Sequence, residues 1–293
     1  MEGNNSAKSS KKYRVLAIEA HPDDLVYFYG GTVAKLASEG HQIRVITVTK
    51  GDQSTMDPAH SEKDIERIMA KEHAEALEII GVKDQEFLEG FTNHFIFSSE
   101  HQLQLREILI KEIREFRPDT VITFDQADIF EENPDHRLLA RVGTQAAAFS
   151  AYPLVHPEHK KEGLEPHFVG RVLHAPTIRP NLYVDIGGEP LERKIKAGAA
   201  YKSQLHLMIT EMDQRLRTMG LDPDLEDMAH EDLWEMVCES MAEETAKYAV
   251  EFYKENPELA PEKEIEHAEA FRMYFLGAVD KLRDYLPKEL LTL

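Results

Sequence analysis

The chain contains a single cysteine, Cys238, among 293 residues. An intrachain disulfide is therefore excluded, which is typical of a cytoplasmic protein in a reducing compartment. The sequence also lacks any run of 18 apolar residues, so it predicts no transmembrane helix. Residues 1–12, MEGNNSAKSSKK, lack the apolar segment of a signal peptide, and we expect them to form a disordered tail.

Basic residues are scarce, with 34 Lys and Arg against 54 Asp and Glu and a formal net charge of −20. Nucleic acids and anionic membranes bind basic patches, so this balance argues against both as partners. Residues 211–270 hold 19 acidic and 5 basic residues, a local charge of −14. Apolar side chains recur there at near-helical spacing. This region could therefore form a homo-oligomer interface, or it could flank a functional site elsewhere in the chain.

The order of short apolar segments and amphipathic segments predicts the fold class. Strands are expected at 13–19, 42–49, 86–88, 119–124, 171–177 and 182–186, and helices at 24–39, 61–80, 101–116, from 134 and at 189–200. This alternation predicts an α/β, Rossmann-like fold, whose mostly parallel sheet has helices on both faces. We expect residues 13–205 to form the catalytic domain and residues 206–293 an acidic, mainly helical extension packed on it or flanking it.

The motif Ala20-His21-Pro22-Asp23-Asp24 follows directly on the first strand. Imidazole and carboxylate are ligands that suit zinc or a related divalent ion. One Asp would be enough for the structural alternative, which is a helix N-cap. Two adjacent carboxylates instead favour a metal ligand beside a group that transfers a proton.

A second polar segment, residues 133–137 (Asn-Pro-Asp-His-Arg), follows the strand at 119–124. Ligands bind beyond the carboxyl ends of parallel strands, so we expect both segments to lie in one crevice. His136 would then supply a third ligand, with Asp135 as a carboxylate that orients a neighbouring group. The alternative is a capping Asp135 and a surface His136.

Together these segments resemble the LmbE-like, or PIG-L, deacetylase family. The resemblance covers residues 13–205 and a short piece near residue 270, and its most specific parts are the motif at 20–24, Gly30-Gly31-Thr32, Pro134–Arg137, Ser203-Gln204 and Glu269–Arg272. It implies zinc bound by His21, Asp24 and His136, although this ligand set also accepts other divalent metals. It further implies Asp23 as general base, Asp135 as an assisting catalytic carboxylate, and hydrolysis of an N-acyl bond on an amino sugar or similar small molecule.

The sequence departs from the family pattern around the expected substrate pocket. Leu25 stands where a Glu is usual, Tyr27-Phe28-Tyr29 replace small residues, Asn133 replaces a His that assists the oxyanion, and Met69 replaces an Arg. The aromatic run is either helix core or a narrowing of the pocket. Candidate substrate-binding residues are Asp52, Arg67, Asn133 and Tyr27. The departures also leave open a zinc-dependent hydratase of an unsaturated keto-acid, similar to oxalomesaconate hydratase, on the same fold.

The segment His156-Pro157-Glu158-His159 also has metal-like spacing. Because it lies in a polar loop containing Pro and Lys, a solvated loop is the favoured interpretation over a second metal site.

Overall fold

The computed structural model describes residues 12–93, 99–223, 225 and 228–293. The predicted tail at 1–12 therefore lies, apart from Lys12, outside the described residues. The strands are β1 Arg14–Glu19, β2 Gln42–Thr47, β3 Asp84–Phe87, β4 Thr120–Thr123, β5 Arg171–His174, β6 Leu182–Asp185 and β7 Ala268–Phe275. The helices are α1 Asp24–Ser38, α2 Glu62–Ile80, α3 Ser99–Phe116, α4 Pro134–Phe149, α5 Glu189–Ala200, α6 Lys202–Thr218 and α7 His230–Glu255.

Within the described part of the chain the strands form one seven-stranded sheet in the order β3-β2-β1-β4-β5-β7-β6. The first five are parallel, and β7 runs antiparallel to both β5 and β6. This confirms the predicted α/β fold with a mostly parallel sheet. The chain continues from β1 to β2 on one side and later returns to β4 on the other, so a topological switch point lies between β1 and β4.

Helices cover both faces of the sheet, and β1 shows why. Val15 and Ala17 pack into the apolar cluster with α1, α2 and α5, whereas Leu16 and Ile18 pack into the cluster with α3 and α4. Alternate residues of a strand face opposite sides, so a strand that is buried on both sides needs a continuous apolar run. The predicted limits of α2 are also confirmed, since Ser61 and Asp64 form a capping box and Gly81 ends the helix at φ 94°.

The last third of the chain is not only a helical flank. β7 lies between β5 and β6, so residues 268–275 belong to the sheet. None of the helices among the described residues is long and apolar enough to cross a membrane.

Strand β7 also supports α1. The backbone of α1 is non-helical at Tyr29, with φ −148° and ψ 27°. The Glu269 carboxylate accepts hydrogen bonds from the N–H groups of Gly31 at 3.0 Å and Thr32 at 2.7 Å, and it pairs with buried Lys194 at 2.6 Å. An acidic cap suits the free N–H groups that follow a helix break. The C-terminal strand therefore stabilises the helix that follows the first motif.

Candidate metal centre

The first motif turns the chain from β1 into α1 at the switch point. Asp23 holds the N-cap position of α1, but its side chain makes no capping hydrogen bond within the described structure. The Asp24 Oδ2 atom instead accepts the backbone N–H of Ala20 at 3.0 Å and of His21 at 2.7 Å. The two carboxylates are thus not explained by helix capping, which was the structural alternative.

The second motif reaches the same point because β4 is the neighbour of β1. Asn133 caps α4, with its Oδ1 atom accepting the N–H of Asp135 at 2.9 Å. Pro134 follows at the first helical position, where a missing N–H costs nothing. The cap fixes the start of α4 and thereby places Asp135 and His136, both buried, opposite His21.

Three donor side chains converge there. His136 Nε2 lies 3.1 Å from His21 Nδ1 and 3.1 Å from Asp24 Oδ1, and His21 Nδ1 lies 3.4 Å from Asp24 Oδ2. All three residues are buried, and they form one of the two groups with metal-ligand spacing among the described residues. The sequence prediction that these residues meet is borne out by this geometry.

A carboxylate lies behind each imidazole of the triad. His21 Nε2 faces Asp135 Oδ2 at 3.1 Å, and His136 Nδ1 faces Glu131 Oε2 at 3.1 Å. A carboxylate only accepts, so His21 Nε2 carries the proton that faces Asp135, and in the neutral ring Nδ1 then directs a lone pair into the triad. If both rings are neutral with lone pairs directed inward, those lone pairs and the carboxylate oxygen repel one another at this separation unless a cation lies among them. The donor set therefore fits a divalent metal.

The electrostatics agree with a cation site. Burial lowers the pKa of His136, but the Asp24 carboxylate outweighs it and raises the value to about 9. Burial raises the pKa of Asp24, yet the charges of His136 and His21 bring it well below its usual range. Without a metal the cluster holds protons instead, so metal binding must displace them.

Asp23 lies beside the triad without belonging to it. Burial, and then the negative charge of Asp24, raise the pKa of Asp23 to about 6. A carboxylate with a pKa near neutrality can both take up and release a proton during turnover. This environment supports the sequence hypothesis of a general base at this position.

The aromatic run at 27–29 divides into three separate environments. Phe124 stacks on the His136 ring at 4.1 Å, and Phe28 meets the same ring edge-on at 6.0 Å, so the two phenylalanines hold a candidate ligand in place. Tyr29 is core, 2% exposed and packed against Phe271. Tyr27 lies against Trp234 at 4.8 Å. Tyr29 therefore belongs to the core, whereas Phe28 lies beside the triad.

A buried polar network beneath the first motif was not found from the sequence. His73 Nδ1 and the Tyr201 hydroxyl both hydrogen-bond the carbonyl oxygen of Pro22. Glu19 accepts from the Leu25 N–H at 2.9 Å, and burial, with Asp24, keeps the pKa of Glu19 well above its usual value. These contacts fix the backbone of the motif from below, as buried polar groups must be paired. Their only signal in the sequence is a Glu at the end of an apolar strand.

Asp52 and Arg67, two of the predicted substrate-binding residues, make contacts with the protein. Asp52 Oδ1 accepts the Asn93 N–H at 2.9 Å, which ties the loop after β2 to the segment after β3. Arg67 pairs with Asp64 at 2.8 Å, and its side chain is 77% exposed. Met69, in contrast, is fully buried and packs near Gly51. The family's usual cation at this position is thus replaced by an apolar contact.

The second group with metal-ligand spacing is Glu107, His156, Glu158 and His159. Arg114 Nη1 lies 3.0 Å from His159 Nδ1. A guanidinium can only donate, so Nδ1 accepts and the proton of the neutral ring must sit on Nε2. A nitrogen that carries a proton is not a metal ligand. The sequence interpretation of this loop, without a second metal, is favoured by this contact.

The chain is similar to known deacetylases in sequence and in structure. The family described as PIG-L: GlcNAc-PI de-N-acetylase matches residues 16–147. Diacetylchitobiose deacetylase of Thermococcus kodakarensis is 31% identical over 209 residues, which is 71% of this chain and 76% of that protein.

Solved structures give the same picture. N,N'-diacetylchitobiose deacetylase of Pyrococcus horikoshii, in complex with its inhibitor MPG, matches with a TM-score of 0.70 and 26% identity over 89% of this chain and 84% of its own. The 4-carboxy-2-hydroxymuconate hydratase of Pseudomonas putida matches with a TM-score of 0.63 and 18% identity, over 90% of this chain and 97% of its own. The second match, at this low identity, shows a shared fold alone.

Proposed function

The chain belongs to the PIG-L, or LmbE-like, deacetylase family, and on that premise we propose that it is a metal-dependent hydrolase of the N-acetyl group of an amino-sugar derivative. The observation that carries the proposal is the triad of His21, Asp24 and His136, with a carboxylate behind each imidazole. A relative at 31% identity over most of both chains is a deacetylase that acts on an acetylated amino sugar by its name. The likeness to a hydratase is one of fold, so deacetylation is favoured over hydration of a keto-acid.

We assign the residues as follows. His21, Asp24 and His136 would hold the metal, and two imidazoles with one carboxylate are a donor set that suits Zn²⁺. A metal bound there lowers the pKa of water and polarises the substrate carbonyl. Asp135 orients the His21 ring and keeps the lone pair of its Nδ1 atom directed inward, and the Glu131 carboxylate lies 3.1 Å from Nδ1 of His136.

Asp23 then moves the proton. Its carboxylate takes a proton from the attacking water as the new C–O bond forms, and delivers it to the amide nitrogen as the C–N bond breaks. The products are acetate and a free amine. A pKa raised by burial and by Asp24 supports both halves of this transfer, because the group is then neither a strong acid nor permanently protonated.

The proposal is tested by amine release. Purified protein is stripped with a chelator, reloaded with zinc and assayed with N-acetylglucosamine and diacetylchitobiose, and with an unsaturated keto-acid as the comparison. We expect acetate and amine from the sugars only with metal present. His21→Ala should lose stoichiometric zinc and activity together, and full zinc content in that variant would refute the ligand assignment. Loss of enoate absorbance without acetate would refute the reaction class.

A further inference from the structure

The carbonyl oxygen of Pro22 is held by two side chains that take no part in the reaction described above. The Tyr201 hydroxyl lies 2.5 Å from this oxygen, and His73 Nδ1 also lies 2.5 Å from it. A carbonyl oxygen only accepts, so both groups donate, and both of its lone pairs are used. Tyr201 and His73 are fully buried, and they come from the junction of α5 and α6 and from α2. Two donors from separate elements therefore converge on one peptide group of the first motif.

The His73 ring is held from both sides. Its Nδ1 atom must carry a proton, because a bare lone pair would face the Pro22 carbonyl oxygen at 2.5 Å. On the other side, Nε2 lies 3.4 Å from Thr47 Oγ1 and 3.4 Å from Glu19 Oε1. The Phe87 ring packs edge-on against the imidazole at 5.2 Å. These contacts direct the Nδ1 proton at the Pro22 carbonyl.

The two donors also fix the backbone of Asp23. The Pro22 carbonyl belongs to the peptide group that links Pro22 to Asp23, and a peptide group is planar, so holding its oxygen holds the whole plane. The next peptide group is held as well. Its oxygen accepts the N–H of Tyr27 at 3.1 Å, and its own N–H, on Asp24, donates to the His21 carbonyl at 3.3 Å. With both planes fixed, the direction in which the Asp23 side chain leaves the backbone is fixed too.

The Asp23 carboxylate has no anchor of its own. It makes no capping bond at the start of α1, and no other described residue donates a hydrogen bond to it. The Asp24 carboxylate differs, because the N–H groups of Ala20 and His21 both donate to it. A general base must lie within hydrogen-bond reach of the proton it takes, and a misplacement of about 1 Å can cost roughly 10² in rate. The position of this base therefore depends on its backbone.

From this geometry we propose that Tyr201 and His73 are positioning residues for the general base, which hold the Pro22–Asp23 peptide group and thereby aim the Asp23 carboxylate at the reacting water. The inference rests on the proposed deacetylase function. Because both side chains are fully buried, they act through the backbone and not on the substrate. A merely structural role predicts a less stable protein with normal turnover. The positioning role predicts a lower kcat in a folded protein that holds its metal.

Tyr201→Phe removes one donor and keeps the ring, which packs against Tyr27 at 5.8 Å. We assay the zinc-loaded protein with N-acetylglucosamine and diacetylchitobiose. We expect kcat to fall about 3- to 10-fold, the factor that one hydrogen bond represents, with zinc content unchanged and KM within twofold of wild type. Unchanged kcat in this variant, with wild type active, would overturn the inference.

The matched control is Tyr253→Phe. The Tyr253 hydroxyl also donates to a backbone carbonyl, that of Tyr183 at 3.2 Å, but this carbonyl lies in β6. The control loses the same kind of bond away from the first motif, so it should keep the wild-type kcat. An equal fall of kcat in both variants would contradict positioning through Pro22.

A pair of variants at His73 separates the donor from the packing. Asn and Leu have similar shapes and leave the same space where the ring was, but only Asn carries an N–H group near the position of Nδ1. We expect kcat of His73→Asn to exceed that of His73→Leu at least threefold at equal zinc content. Equal kcat values would contradict a role for this donor. If His73→Leu does not fold, the exchange measurement on Tyr201→Phe decides.

Hydrogen exchange gives a readout that needs no catalysis. In the zinc-loaded protein, Tyr201→Phe should speed amide exchange at least threefold in the peptide that covers residues 20–29. Exchange in a peptide that covers β5 should stay at the wild-type rate. Unchanged exchange at 20–29 would overturn the inference. Faster exchange there, with no amine released by wild type from either sugar, would refute the proposed deacetylase function, while Tyr201 would still be shown to hold the first motif.

Discussion

The carboxylate behind His21 gives the sharpest test of how the metal centre is built. Asp135 Oδ2 faces His21 Nε2 at 3.1 Å, and Asp135 is only 2% exposed. Asp135→Asn keeps the shape and one oxygen acceptor but removes the negative charge. Partners that orient a metal-binding histidine contribute a factor of roughly 10 to 100 in metal affinity, or about 1.4–2.7 kcal/mol. We therefore expect the zinc dissociation constant of the variant to rise by that factor.

The assay is a zinc titration of the stripped protein against a chromophoric chelator at constant pH. Asp135 also lies in the first turn of α4, where a negative charge favours the helix by about 0.3–1 kcal/mol. Thermal unfolding of both metal-free proteins separates this smaller effect from the loss of affinity. The matched control is Asp128→Asn in the loop before α4, where the Asp128 carboxylate accepts the Phe130 N–H at 2.9 Å. A folded Asp135→Asn protein that binds zinc within threefold of wild type would refute the orienting role.

Four further outcomes follow from the geometry. Asp23→Asn should keep its zinc and lose roughly 10²- to 10⁴-fold in kcat, whereas unchanged turnover with metal bound would exclude it as the base. Burial and Asp24 raise the pKa of Asp23 to about 6, and the base acts when it is deprotonated. We therefore expect kcat/KM to fall as the pH drops through 6, or slightly below 6 because a bound cation lowers this pKa. A fall in kcat/KM that begins above pH 7 would contradict this assignment. Lys194→Met leaves the buried Glu269 charge without its cation and should cost about 3 kcal/mol in denaturant unfolding, and a change below about 1 kcal/mol would mean that the backbone donors suffice. Arg67→Gln should leave KM and stability unchanged, because the contact of Arg67 is with Asp64, and a tenfold higher KM would instead support Arg67 as a substrate ligand.

The parts of the site that could be predicted from sequence are those fixed by the ends of strands. His21 and Asp24 follow β1 and His136 follows the turn after β4, and adjacent parallel strands bring such segments together whatever the side chains between them. Asp135 beside His136 was predicted for a similar reason. Glu131 was not, because it lies in an irregular loop where no periodicity shows which way a side chain points.

The polar network under the motif could not be read from the sequence for a different reason. Glu19, His73 and Tyr201 come from β1, α2 and the junction of α5 and α6, and their contacts depend on how these elements pack. Strand β7 did offer a signal, since Phe271, Met273 and Phe275 recur with the period of two that marks a strand. The acidic helical sequence before it favoured a helical interpretation of the whole region.

The position of β7 within the sheet couples the last third of the chain to helix α1. Glu269 on β7 caps the second part of α1 after the break at Tyr29, and the first part of α1 carries Asp24 and Phe28. The break lets Phe28 face His136 while Tyr29, the next residue, enters the core against Phe271. A chain truncated after residue 205 would lose this cap together with a strand from within the sheet. The orientation of α1 therefore depends on the C-terminal strand β7. The C-terminal region cannot be removed to test its role without also disturbing α1.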